Sequence, residues 1–217
     1  MKPLAIFGGT FDPVHIGHLT VAWEASELLD AEVRLMPSRT PPHRATPCAS
    51  AEQRLAGLHA ALAGQSRLTI DDREMRREGP SYTVDTLREL RAEQGDRPLV
   101  LLLGEDAFAG LPAWHEWREL FRLTHIGVLS RPGLSVVRSE TLWREITERR
   151  VANPVVLSHC PAGAIIELRV TALEVSATRI RELLASGRDP RYLLPAGRFA
   201  DSALLQPYPR WKQAVLH

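Results

Sequence analysis

Lysine is almost missing from this 217-residue chain: of 27 basic residues only Lys2 and Lys212 are lysine, and the rest are arginine. Cysteine is equally scarce, and Cys48 and Cys160 alone can build neither a disulfide framework nor a CxxC metal site. Net charge is nearly absent too. The 26 Asp and Glu leave a formal +1, and the basic residues are spread along the chain, not gathered into a tail or stripe, which removes the electrostatic case for a nucleic-acid partner. Long apolar runs are lacking: Leu99–Leu103 is the longest strongly apolar stretch, far short of a membrane span. The N-terminus offers one lysine and a short apolar run broken at Gly8-Gly9, with no cleavage pattern of a signal peptide. These absences lead us to expect a soluble, cytoplasmic protein with no membrane partner. What is present, 44% apolar and 24% charged residues, is ordinary globular composition and excludes a disordered chain. The arginine excess reflects either genome composition or placement for forked contacts to phosphate and carboxylate.

The patterning alternates between short apolar runs and amphipathic stretches. Residues 3–7, 32–36, 67–70, 98–103, 125–129 and 164–169 read as strands, nearly unbroken in apolar character. Helices are expected from Ile16 to Leu29, from Ser50 or Glu52 to Leu62, from a cap at Ser81 or Thr83 to Gly95, over Trp114–Leu123, near Glu140–Arg150, and over Ser176–Ala185. Strands that are apolar on both faces and separated by helices predict an α/β fold: a doubly wound parallel sheet covered by helices on both faces, with a small C-terminal helical extension over about 188–217. No repeat or linker splits the chain, so one domain over 1–217 is expected. Such sheets bind ligands outside the carboxyl ends of strands where the strand order reverses. The runs that end at Gly8 and Gly104 are the natural walls of that crevice.

Residues 8–18 read GGTFDPVHIGH. A glycine pair after a strand lets the backbone approach a ligand, and the following helix start presents unpaired N–H groups and a positive dipole end. His15 and His18 lie three apart, on one helix face, with Gly17 between them. Taken in fragments, these features describe an ordinary capped turn, or half of a metal site that no nearby cluster completes. The eleven-residue string as a whole is far more specific. It resembles the signature of the HxGH nucleotidyltransferase superfamily, and within it the nicotinate mononucleotide adenylyltransferase family of bacterial type. PPHR at 41–44, SYTVDTL at 81–87, GEDAFAGLPAWHEW at 104–117 and VSATRIR at 175–181 are similar to the same family in the same order, so the resemblance runs from residue 1 to about 200.

That resemblance implies a Rossmann-like nucleotidyltransferase fold and an enzyme that joins ATP and nicotinate mononucleotide into deamido-NAD and pyrophosphate. The attacking phosphate is already anionic, so no general base is needed; the work is alignment and electrostatic stabilisation. His15 and His18 would then act on the ATP phosphates, with Gly8, Gly9, Thr10 and Phe11 lining the nucleotide. Gly104 and Asp106 would sit across the crevice, Asp106 at the ribose, and Ser176, Thr178, Arg179 and Ile180 would form a second phosphate-binding helix start, to which Arg181 could add. Without the resemblance, the 176–181 stretch reads better as a plain capped surface helix. Magnesium is expected mainly on the triphosphate, with no protein metal site. For the second substrate, Trp114 and Trp117 are three apart; both could be core residues, and the resemblance selects Trp117 to stack on the pyridinium ring and leaves Trp114 structural. Tyr82 and Thr83, at a helix start, are expected at the nicotinate carboxylate, and Arg44 at the mononucleotide phosphate, where the family more often has lysine. Alternatives are a sibling enzyme acting on nicotinamide mononucleotide or phosphopantetheine, and a nucleotide-sensing module without catalysis. An oligomeric state is left open.

Overall fold

Leu4, Ile6, Leu99, Leu101 and Leu103 fall in one apolar cluster, while Ala5, Val100 and Leu102, the residues between them, fall in another. That alternation is what a strand does when both of its faces are covered, since successive side chains point to opposite sides. In this computed structural model, which describes residues 1–39, 46–79, 81–130, 136–171, 173–196 and 202–208, the strands are β1 Leu4–Gly9, β2 Glu32–Pro37, β3 Leu68–Ile70, β4 Leu99–Gly104, β5 His125–Ser130, β6 Arg150–Val151 and β7 Ile165–Arg169. They form one sheet in the order β3-β2-β1-β4-β5-β7-β6, with every pair parallel. The expected doubly wound sheet is therefore the observed one.

Helices α1 Ile16–Leu28 and α2 Ala51–Leu62 cover one face, contributing Ala22, Ala25, Leu58 and Leu62 to its core. The other face is covered by α4 Thr83–Gln94 and three further helices, α5 Glu105–Ala109, α6 Leu120–Leu123 and α7 Glu140–Arg149, through Val84, Leu87, Leu90, Phe108, Phe121 and Ile146. A short α3, Arg73–Arg76, precedes α4. The last helix, α8 Ala177–Ala185, carries a third cluster in which Ile180 and Leu184 meet Ala49, Leu194, Leu205 and Tyr208. Among the described residues no helix is long and apolar enough to cross a membrane.

Several elements differ from the sequence expectation. The helix predicted over 114–123 is broken: two 3-10 turns, Leu111–Ala113 and Trp117–Glu119, precede the four-residue α6, and Glu116 between them adopts a left-handed φ of 47° that no α-helix accommodates. The helix at α4 is capped by neither Ser81 nor Thr83; its cap residue is Tyr82, with no side-chain cap bond. The small C-terminal helical extension, where described, consists of 3-10 turns at Arg191–Leu193 and Ser202–Leu205. Strand β6 is two residues long, too short to leave a periodic signal.

Candidate functional site

The crevice is set by pairing register. Strand β1 pairs with β2 as far as Gly9–Pro37 and β4 pairs with β5 as far as Gly104–Leu129, yet β1 and β4 pair only from Leu4–Leu99 to Ile6–Leu101. The two strands therefore part at their carboxyl ends, at the central place where the strand order reverses. A Cβ added at Gly8 or at Gly104 would meet nothing within 4 Å, so both glycines border open space.

In the turn after β1, His15 is the N-cap of α1, extended at φ −144°, and its side chain accepts from the third helical position, His18. The bond is reciprocal. His18 N donates to His15 Nδ1 and His15 N donates to His18 Nδ1, both at 3.3 Å. This is a capping box built from two imidazoles. Its chemical consequence is the tautomer: each neutral ring that accepts at Nδ1 carries its proton on Nε2 and donates from there. The rings lie stacked, centroids 3.6 Å apart, and Phe11 meets His18 edge-on at 5.0 Å. Space between the histidines is tight, since a Cβ at Gly17 would stand 3.1 Å from His15 Nδ1. Gly9 is similarly crowded, with Phe11 Cζ at 2.9 Å from its would-be Cβ. Phe11 itself is buried with a left-handed φ of 51°.

Two residues that hold this turn were missed in the sequence reading. Asp12 is buried, and its carboxylate accepts from Cys48 N at 2.8 Å, Ala49 N at 3.0 Å and the Tyr208 hydroxyl at 3.0 Å. Arg54, on α2, is only 2% exposed and donates to the carbonyls of Thr10 and Ser38 at 2.7 Å and of Arg39 at 3.0 Å. Burial pulls its guanidinium below the ordinary arginine value, opposed by the charge of Asp12. The signal was available in Arg54: an arginine on the apolar face of a helix, in line with Leu58 and Leu62, must find acceptors inside.

The second helix start follows β7. Ser176 caps α8 by accepting from Arg179 N at 3.1 Å. Thr178 accepts from Arg181 Nη2 at 3.1 Å, and Arg181 Nη1 donates to the Asp12 carbonyl at 2.7 Å. Arg181 thus ties α8 to the histidine turn, while Arg179 is exposed beside Glu182. Ile180 is a correction: its side chain is fully buried in the C-terminal cluster and its N–H is bonded to Ser176 O, so it has no surface to offer a ligand. Asp106 lies exposed in the first turn of α5.

The tryptophans differ in burial. Trp117 is 8% exposed, packed edge-on to Phe121 at 6.0 Å, with the Arg118 guanidinium 4.5 Å over its ring. Trp114 is only partly buried, and like Tyr82 it borders the same core. The Tyr82 ring meets His115 at 4.7 Å, and Arg88 pairs with Glu116, so the start of α4 is held against the 114–116 turn. Beneath α4, Thr86 Oγ1 donates to buried Glu74 at 2.8 Å and accepts from Arg77 at 2.9 Å. Burial pushes the Glu74 carboxyl above the ordinary glutamate value. Thr83 is the first residue of α4. Arg44 lies outside the described residues.

A sheet that parts at its strand-order reversal, a histidine-capped helix and a second capped helix start together define a nucleotidyltransferase, and the model described as cytidylyltransferase-like matches residues 6–183. Curated relatives carrying the name probable nicotinate-nucleotide adenylyltransferase are similar over nearly the whole chain. One from Halorhodospira halophila is 48% identical over 196 residues, covering 90% of each chain, and one from Pseudomonas putida is 50% identical over 197 residues, again covering 90% of each. The chain belongs to the nicotinate-nucleotide adenylyltransferase family. A solved nicotinic acid mononucleotide adenylyltransferase of Plasmodium falciparum, complexed with NaAD, shares the fold at a TM-score of 0.71 and 14% identity, covering 96% of both chains.

Proposed function

We propose that this crevice transfers the adenylyl group of ATP to nicotinate mononucleotide, forming deamido-NAD and pyrophosphate. The observation that carries the reading is the reciprocal histidine cap at the parting of β1 and β4. Each imidazole spends Nδ1 on a backbone N–H and so keeps Nε2–H as a donor for the ATP phosphates. Gly8, Gly9, Thr10 and Phe11 line the nucleotide, with Gly104 and Asp106 on the facing strand end, Asp106 towards the ribose. The start of α8, with Ser176, Thr178 and exposed Arg179, supplies the second anion site; Arg181 serves by holding that helix to Asp12. Magnesium, carried on the triphosphate, would supply charge neutralisation. Among the described residues no three His, Cys, Asp or Glu side chains converge to hold an ion.

For the acceptor, the ring partner is Trp114 rather than Trp117, because Trp117 is buried and the Arg118 guanidinium lies over its ring, whereas Trp114 is only partly buried. Tyr82 and Thr83 open α4 without a side-chain cap, and the N–H groups there suit a carboxylate. Arg44 remains the proposed partner of the mononucleotide phosphate. The enzyme is read as cytoplasmic, supported by two free cysteines, Cys48 and Cys160. The test is pyrophosphate release with ATP, magnesium and each of three acceptors. Nicotinate mononucleotide should turn over at least about tenfold faster than the nicotinamide form, since a charged group gains more from a helix end than an amide does. Phosphopantetheine should give nothing. Equal rates with the two mononucleotides would overturn the carboxylate assignment, and binding of ATP with no turnover of any acceptor would leave a sensing module.

A further inference from the structure

Among the described residues, Phe11, Asp30 and Glu116 hold a left-handed backbone without being glycine. Aspartate tolerates that conformation through its short polar side chain, whereas the longer glutamate at 116, with φ 47° and ψ 39°, must be held there by partners. Glu116 uses both carboxylate oxygens for this. Its Oε1 pairs with His115 Nε2 at 3.1 Å, and its Oε2 accepts from Arg88 Nη2. The Arg88 bond pulls the Glu116 carboxyl below the ordinary glutamate value, so the group is ionised at neutral pH. From this carboxylate the turn reaches α4 twice. His115 lays its ring 4.7 Å from that of Tyr82, the cap residue, and Arg88 lies further along the helix, where it also bonds Asp85. The contacts at Tyr82 and Arg88 bracket Thr83, the first residue of α4. The left-handed residue also sorts its neighbours. Beyond it Trp117 enters the core at 8% exposure, while Trp114 before it stays partly buried, bordering the same cluster as Tyr82.

We propose that Glu116 is a positioning residue for the acceptor. By joining His115 to Arg88 it holds the 114–116 turn against α4, and so sets the gap between Trp114 and the Tyr82–Thr83 helix start. The kinetic part rests on the functional reading above, which places the pyridine ring and its carboxylate in that gap; the structural part does not. Exposed ion pairs contribute little to stability, so the value of this one lies in the register it imposes on two recognition elements.

Glu116→Gly removes the carboxylate and keeps a residue that adopts the left-handed turn freely, so the melting temperature should be no lower than that of the wild type. The KM for nicotinate mononucleotide should nevertheless rise about fivefold, with the KM for ATP changed less than about twofold. In an Arg88→Gln background, Glu116→Gly should raise the mononucleotide KM by less than about twofold more, because the first substitution has already opened the clasp. Independently of any substrate, Arg88→Gln on α4 should accelerate amide hydrogen exchange at Trp117, whose N–H closes the turn on Trp114 O, by about threefold. Exchange at Thr124, bonded to Leu120 O beyond the turn, should be unchanged. An unchanged KM for nicotinate mononucleotide in Glu116→Gly, with or without a lower melting temperature, overturns the proposal. So does full additivity with Arg88→Gln, or unchanged exchange at Trp117. If the wild-type protein turns over no mononucleotide, the functional reading fails, while the exchange result still decides whether Arg88 and Glu116 hold the turn.

Discussion

The turn after β1 and the wall built behind β4 rise from adjacent strands but use their polar groups differently. On the β1 side, both imidazole Nδ1 atoms, the Asp12 carboxylate and three carbonyls held by Arg54 have named partners. On the β4 side, α4 begins without a side-chain cap, and the buried Ser81 Oγ and Glu105 Oε2 have no partner among the described residues, a state shared on the β1 side by Arg54 Nε alone. Buried polar atoms are normally paired. The β1 turn is held largely by hydrogen bonds, the β4 wall largely by packing.

The largest expected effect breaks the donor side. His18→Ala removes a preorganised donor to the developing charge and one arm of the cap, and pyrophosphate release should fall about 10²- to 10³-fold with circular dichroism retained. Near-normal turnover would refute the role given to His18.

The tryptophan pair then separates packing from recognition on the acceptor side. Trp117→Ala should cost about 3–5 kcal/mol in urea unfolding, as expected for emptying a core site. Trp114→Ala should leave stability within about 1 kcal/mol and raise the KM for nicotinate mononucleotide about tenfold through lost ring contact. The reverse pattern would restore Trp117 as the stacking partner.

The smallest effect concerns the support under α4. Burial raises the folded-state pKa of Glu74 above its ordinary 4.5, so the folded protein holds that proton more tightly than the unfolded chain. Its contribution is therefore fully present below about pH 4.5 and is lost as pH rises through the raised value. Glu74→Gln, which keeps the shape and an acceptor for Thr86, should be more stable than wild type at pH 7 by about 1 kcal/mol. That advantage should fade as the pH is lowered toward about 4.5 in paired thermal melts. An advantage that grows on acidification would contradict the sign.

How much of this was legible varies with how locally each feature is specified. The histidine turn was legible because its cap, its glycines and its strand lie within one short segment, GGTFDPVHIGH. The Trp pair was less legible. Spacing of three suggested one helix face, but the left-handed Glu116 breaks the helix, and the two rings differ in burial. Arg54 was readable only as an arginine out of place, and Tyr208 was not readable at all, since nothing near it in sequence names Asp12.

The sequence by itself determined six of the seven strands, most of the helices and the histidine turn, because apolar periodicity, caps and glycine placement act over a few residues. The tertiary structure alone decided which tryptophan of the pair is the more buried, which arginine is spent on the backbone and where the C-terminal segment fastens. Those outcomes depend on burial and on hydrogen bonds between residues far apart in the chain, and such contacts exist only once the sheet has brought the elements together. The scarcity of lysine takes on a partial meaning in that light. Arg54 and Arg181 each bridge two or more acceptors from a single planar head, a geometry that a point-charged ammonium on a flexible stem matches poorly.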